Sequence, residues 1–256
     1  MLPLVINLDR SPDRWEYMKN QFNSLGISAI RISAIDAKSR DYSGYATPLG
    51  NPRKYFFPRE LSSGEICCFL SHKKCWERLL ESEENWAAIF EDDVRLSNRV
   101  KEFGFSSEWI PDGIHIVQLH TCKPNWLCRT LPPAISLSGN NALFHVIDHS
   151  FGTCAYVIDR EAAKYALNLS DKLDSPVDEF LFNFKSPFTR YFPTWRLNPT
   201  CVLHNDSFVS CVERKQPSRE ARYSLLNHLS PKRLFLSTKK NFLQRFCCKD
   251  TVFTWE

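Results

Sequence analysis

The chain has 256 residues, 43% of them hydrophobic and 13% aromatic, which is enough to bury a full core in one domain and excludes disorder. Its net charge of +4 is unevenly placed: six basic residues and no acid lie between 231 and 249, leaving about −2 for the rest, which excludes a broad basic face for nucleic acid. No run nears the roughly 18 apolar residues of a membrane span, and Met1-Leu2-Pro3-Leu4 lacks a signal-peptide pattern, so the expected location is the cytoplasm.

Leu4-Val5-Ile6-Asn7-Leu8 reads as a buried strand. Ser11-Pro12-Asp13 then supplies an N-cap, a proline at the first helical position and an acid in the first turn. Trp15, Met18, Phe22 and Leu25 fall at helical spacing, Gly26 ends the helix, and 27–32 reads as a second strand, giving a βαβ opening. Residues 38–59, rich in Gly, Pro, Tyr and Ser, form a long loop of the kind that is often functional. Ser62-x-x-Glu65 is a capping box that opens a helix carrying Ile66, Phe69, Leu70, Trp76, Leu79 and Leu80.

Trp86-Ala87-Ala88-Ile89-Phe90 has strand length and stops at Glu91-Asp92-Asp93. Residues 114–119 predict another strand, and 151–158 one more that leads into a helix over 160–167. Alternating strands and helices predict a single α/β domain over 1–230 with a mostly parallel mixed sheet flanked by helices. The ten cysteines include no C-x-x-C spacing, which argues for reduced, buried thiols and against a structural zinc site.

Ligands of open α/β sheets bind outside the carboxyl ends of the strands, where Glu91, Asp92 and Asp93 fall. Strand alternation would send Glu91 and Asp93 to one face and Asp92 to the other. Their mutual repulsion would be relieved by a hard divalent cation, Mn²⁺ or Mg²⁺; the competing reading is an exposed acidic turn. Asp178 and Glu179, just before Phe180-Leu181-Phe182, fit either a general base or a helix cap, and spacing alone favours the cap. His72 lies two turns after Glu65 at the edge of an apolar stripe and reads as structural on its own. His145-x-x-x-His149 has metal spacing only if helical, and Val146 and Ile147 favour a strand or turn. His204, in a polar loop with Asn205 and Asp206, fits a metal ligand or a backbone contact.

In order along the chain, Ile6-Asn7-Leu8-Asp9-Arg10-Ser11 with Arg14, Ser33-Ala34-Ile35-Asp36, Leu61-Ser62-Ser63-Gly64-Glu65-Ile66 through Leu70-Ser71-His72 and Trp76, Phe90-Glu91-Asp92-Asp93-Val94, Ala155-Tyr156-Val157-Ile158 and Pro176-Val177-Asp178-Glu179-Phe180-Leu181 resemble glycosyltransferase family 25. That family includes bacterial lipooligosaccharide galactosyltransferases and animal procollagen galactosyltransferases. The resemblance covers about residues 5–206 and departs at Ala37 and Cys67, where the family tends to have glycine; 121–149 shows no correspondence.

The resemblance implies a GT-A-like fold, a UDP-galactose or UDP-glucose donor, a divalent cation and inversion at the anomeric carbon. Asn7, Arg14, Asp36, Glu65, His72 and Asp92 would then serve the donor. Asp93 and Glu91, with His204, would hold Mn²⁺ or Mg²⁺, and Asp178 with Glu179 would supply the base. The acceptor implied is an oligosaccharide or lipid-linked glycan. The tail 231–256 interleaves Leu and Phe with Lys and Arg, the pattern of a segment on an anionic membrane surface at the inner membrane's cytoplasmic face, or of a basic helix packed on the domain. The rival readings are a catalytically silent GT-A-like module that binds glycan or protein, and a phosphohydrolase, for which the sequence offers no clear second metal cluster.

Overall fold

The computed structural model describes residues 1–46, 60–148, 152–208 and 248–255. The βαβ opening is present as β1 (Leu2–Asn7), α1 (Pro12–Ser24) and β2 (Ile30–Ser33). α1 begins at Pro12, but Ser11 makes no side-chain cap; its carbonyl instead accepts from Asn7 Nδ2 at 3.0 Å. Gly26, at φ +72°, turns the chain out of the helix, where glycine meets no steric penalty. Ala37 needs no such freedom, since its backbone stays at negative φ.

α2 (Ser63–Glu81) carries the complete capping box, with Glu65 N donating to Ser62 Oγ and Ser62 N to Glu65 Oε2. It is followed by β3 (Trp86–Glu91), β4 (Val94–Leu96), a single helical turn α3 (Val100–Phe103), β5 (Ile116–Gln118) and β6 (His120–Thr121). Then come β7 (Trp126–Ser136), β8 (Ala142–Val146), β9 (Ala155–Asp159), α4 (Arg160–Leu169) and α5 (Val177–Phe182). β10 (Trp195–Asn198), β11 (Val202–His204) and β12 (Lys249–Phe253) complete the described strands.

The main sheet has nine strands in the order β12-β7-β8-β10-β5-β9-β3-β1-β2, and β4, β11 and β6 form a small second sheet. The expected mostly parallel sheet is corrected here. β1 runs parallel to β2 and β3, and β5 to β10, but the other five pairings are antiparallel. A strand buried on both faces is equally apolar in either direction, so periodicity carries no sense of direction.

Both faces of the central strands are covered. Leu4, Ile6, Ile89, Tyr156 and Ile158 pack under α2, α4 and α5, whereas Val5, Ala88, Phe90 and Val157 pack under α1 with Met18 and Phe22. That explains why β1, β3 and β9 read as continuous apolar runs. The proposed tail divides: its stretch before Cys248 lies outside the described residues, while Lys249–Phe253 is β12, paired to β7 in the main sheet. Among the described residues no helix is long and apolar enough to cross a membrane, and all eight described cysteines are free thiols.

The C-terminal end of α2 depends on Arg160. Its guanidinium donates to the carbonyls of Leu79 at 2.9 Å, Leu80 at 3.0 Å and Ser82 at 2.7 Å, satisfying groups that the helix leaves open. Arg160→Ala is expected to lower unfolding free energy by about 2 kcal/mol in urea titration, the scale of lost charge-assisted hydrogen bonds, and Arg160→Lys to restore only part of it. A midpoint unchanged in Arg160→Ala would remove this cap from the stability of the domain.

Candidate functional site

A cleft of about 320 Å³ opens at the carboxyl ends of the parallel strands β1, β2 and β3. Its walls come from the loop after β1 (Leu8, Arg10), the first turn of α1 (Arg14), the loop after β2 (Ile35, Asp36, Lys38), the cleft side of α2 (Ser63, Gly64, Cys68, Ser71, His72) and the acids that end β3. Cationic side chains and the first turn of α2 therefore line the same space, an arrangement suited to an anionic group.

Alternation along β3 distributes the acids. Glu91 faces α2, where His72 Nε2 lies 3.6 Å from its Oε1, and it accepts from Thr153 Oγ1 at 2.5 Å. Burial pushes the Glu91 carboxyl up, but His72 and Thr153 outweigh it and hold it below its ordinary value. Asp92 faces α1: Asn7 Nδ2 donates to Oδ2 at 2.7 Å and Arg14 Nη1 to Oδ1 at 3.0 Å. Its carboxyl is nevertheless raised, because burial exceeds what Asn7 and Arg14 return. Asp93 departs from the expected alternation. β3 has ended, and its Oδ2 lies 3.8 Å from Arg14, the guanidinium that also holds Asp92, and 3.7 Å from His204 Nε2.

The expected metal set is thus split. Asp93 and His204 lie with Cys154 in one group whose ligand atoms are all within 4.8 Å of one another, and Glu91 lies with Cys68 and His72 in another. Among the described residues Asp93 Oδ1 is buried with no hydrogen-bond partner, so it retains the lone pairs that a divalent cation would use. The carboxylate and imidazole there fit Mn²⁺ in donor chemistry.

Of the donor residues, Arg14, Asp36, His72 and Asp92 line the cleft. Asn7, 1% exposed, sits behind it and locks Asp92, its own Oδ1 accepting from Arg31 Nε at 2.8 Å. Glu65 is committed to the capping box. Asp36 receives Arg10 Nε at 2.7 Å and the Lys38 amide at 2.9 Å; that amide, then Arg10, holds it below its ordinary value.

Asp178 and Glu179 fall inside the first turn of α5, with Pro176 at the N-cap, which corrects the cap reading. Half-buried Asp178 accepts from the Gly152 amide at 3.3 Å, and buried Glu179 is tied to Asn183 Nδ2. His145, in β8, is stacked on Trp195 of β10, with ring centroids 5.3 Å apart, a packing role that sets aside the zinc reading. His149 lies outside the described residues.

Sequence reasoning passed over Thr153, Tyr156 and Cys68. Tyr156 Oη meets His72 Nδ1 at 2.9 Å and accepts from Trp76 Nε1 at 3.0 Å. Cys68 carried a signal, a spacing of four from His72 in a capped helix, which puts both on one face. Thr153 carried none, since its partner is 62 residues away.

Residues 1–181 match the family described as glycosyltransferase family 25 (LPS biosynthesis protein). The chain is 29% identical over 250 residues to the lacto-N-neotetraose biosynthesis glycosyltransferase LgtB of Neisseria gonorrhoeae, covering 88% of this chain and 87% of that protein. It is 31% identical over 249 residues to LgtB of Neisseria meningitidis, with the same coverage of 88% and 87%. To LgtE of Neisseria gonorrhoeae it is 27% identical over 219 residues, covering 80% and 76%.

The His204 site has a pH signature. Asp93, then Asp206 with its Oδ1 3.0 Å from Nδ1, raises the imidazole from 6.5 to about 9 despite burial. A folded value above the unfolded one means that the charged ring stabilises the fold below pH 6.5 and that this contribution is lost as pH rises to about 9. In chelator, the stability of the wild type relative to His204→Gln should therefore be constant below pH 6.5 and decline between there and about pH 9. A difference that stays flat through that window in urea titrations would dissolve the His204–Asp93 pairing.

Proposed function

The chain belongs to glycosyltransferase family 25, and from that membership we propose that it transfers a hexose, galactose first and glucose next, from a UDP-sugar to a glycan acceptor. The acceptor class proposed is lipooligosaccharide, by analogy with the named relatives in lacto-N-neotetraose biosynthesis. The reading takes the fold as GT-A-like, the transfer as inverting and the cation as Mn²⁺ or Mg²⁺. The observation that carries it is the cleft itself: strand ends, a helix N-terminus, Arg10, Arg14 and Lys38 around clustered carboxylates, a setting for a diphosphate-linked donor.

In the proposed mechanism the acceptor hydroxyl attacks the anomeric carbon opposite the departing nucleotide diphosphate, and a carboxylate takes its proton. Asp178 suits that role better than Glu179, because among the described residues a 3.3 Å bond from Gly152 and the amide of Glu179 engage it, whereas Glu179 is buried against Asn183. Asp93 and His204 would hold the cation, with Arg14 steadying Asp93 and Asp92 together. When bound, a divalent ion there supplies electrostatic stabilisation of the leaving diphosphate. Asn7 and Arg14 keep Asp92 fixed as a wall of the donor site.

Calorimetric titration with UDP-galactose, UDP-glucose and UDP-N-acetylgalactosamine, with and without Mn²⁺, tests the reading. Metal-dependent binding of one donor is expected, abolished in Asp93→Ala. Donor binding that is the same in Asp93→Ala and wild type would take Asp93 out of the metal shell, and no binding of any donor would overturn the reading. Asp178→Asn should retain donor binding and lose turnover by about 10²- to 10⁴-fold, the range of general-base catalysis. Normal turnover in that variant would transfer the role elsewhere.

A further inference from the structure

Cys68 and His72 stand four residues apart on α2 and face Glu91 at the end of β3, and their Sγ, imidazole nitrogen and carboxylate oxygen lie within 4.8 Å of one another. All three line the cleft. His72 is fully buried, 0% exposed, yet among the described residues its Nε2 has no hydrogen-bond partner, a costly state for a buried polar atom. The 3.6 Å from Nε2 to Glu91 Oε1 is too long for a hydrogen bond. It is close to the roughly 3.3–3.5 Å edge between nitrogen and oxygen ligands of a tetrahedral Zn²⁺ with bonds of about 2.0–2.1 Å.

The outer contacts fit as well. The other ring nitrogen, Nδ1, meets Tyr156 Oη, an oxygen that can accept a second bond beside the one from Trp76, and Thr153 Oγ1 holds Glu91. Metal-bound histidine and carboxylate characteristically have such partners.

We infer that Cys68, His72 and Glu91 form a binding site for one Zn²⁺-class ion, separate from the Asp93–His204 pair. Sulfur and imidazole select a borderline-soft metal over Mg²⁺ or Mn²⁺. Three protein ligands would leave a fourth position for water or a donor oxygen, and all three line the cleft. The site stands independently of which sugar is transferred.

The test uses the full chain, stripped with chelator and titrated with Co²⁺ and then Zn²⁺ without any donor. One equivalent of Co²⁺ should give a thiolate-to-cobalt charge-transfer band and tetrahedral visible bands, displaced by Zn²⁺. The charge-transfer band should vanish in Cys68→Ser and persist in Cys154→Ser, and Thr153→Val should weaken Zn²⁺ binding by about 10-fold. A wild type without the band, or a band that survives Cys68→Ser and is lost in Cys154→Ser, overturns the inference. Wild-type protein gives a check free of folding artefacts: Zn²⁺ should slow alkylation of Cys68 by iodoacetamide, followed by peptide mass spectrometry, and an unchanged rate also overturns it. Mn²⁺-dependent donor binding is measured separately, so the loss of one reading leaves the other standing.

Discussion

The site depends on one constraint, that β3 is a strand buried on both faces and ends in three acids. Alternation gives Ile89 and Glu91 to the α2 side and Phe90 and Asp92 to the α1 side, so adjacent carboxylates are delivered to different partners. Three carboxylates in one turn repel, and burial compounds the cost. The fold offsets this by giving each its own partner: His72 and Thr153 for Glu91, Asn7 and Arg14 for Asp92, His204 for Asp93, with Arg14 shared between the last two acids.

How far the sequence discloses this follows from the range of each interaction. β1, α1, α2 and β3 are legible because their signals are local: apolar runs, a capping box, a glycine stop. β7 is not, since Pro132 and Pro133 argue against a strand, and the structure accommodates them where the β7–β8 register shifts between Leu131 and Ile135. β12 is still less so, because it pairs with a strand over a hundred residues upstream and its exposed positions lack a core pattern. At the site, the acids are visible as a tripeptide, but the split of Asp93 from Glu91 is not. It arises where the strand stops, and an end of pairing leaves no mark in the composition.

The division of the site into two donor sets comes from the same geometry. Residues that meet the α2 side find a thiol and an imidazole presented four apart by a helix, a soft pair. Asp93, past the strand end, meets His204 on β11 and keeps an oxygen unpartnered among the described residues, a harder pair. The first turn of α2 and the cations Arg10, Arg14 and Lys38 line the same cleft as the carboxylates, so that an anionic ligand entering it meets positive charge beside the acids.

The antiparallel character of the sheet matters to the chemistry more than the parallel opening suggests. β9 runs against β3 with Phe90 opposite Ala155, so the start of β9 lies at the end of β3 where the acids are. Three consecutive residues at that start each reach one arm of the site: the Gly152 amide donates to Asp178, Thr153 Oγ1 to Glu91, and Cys154 sits with Asp93 and His204. Gly152 itself has φ +84°, and a Cβ there would come within 3.1 Å of His120 Nε2, so this turn requires glycine. A parallel strand in the same place would bring its opposite end to the acids and leave Asp178 without this link. The reversal that a periodicity reading could not detect is therefore what joins the base candidate to the acids at the end of β3.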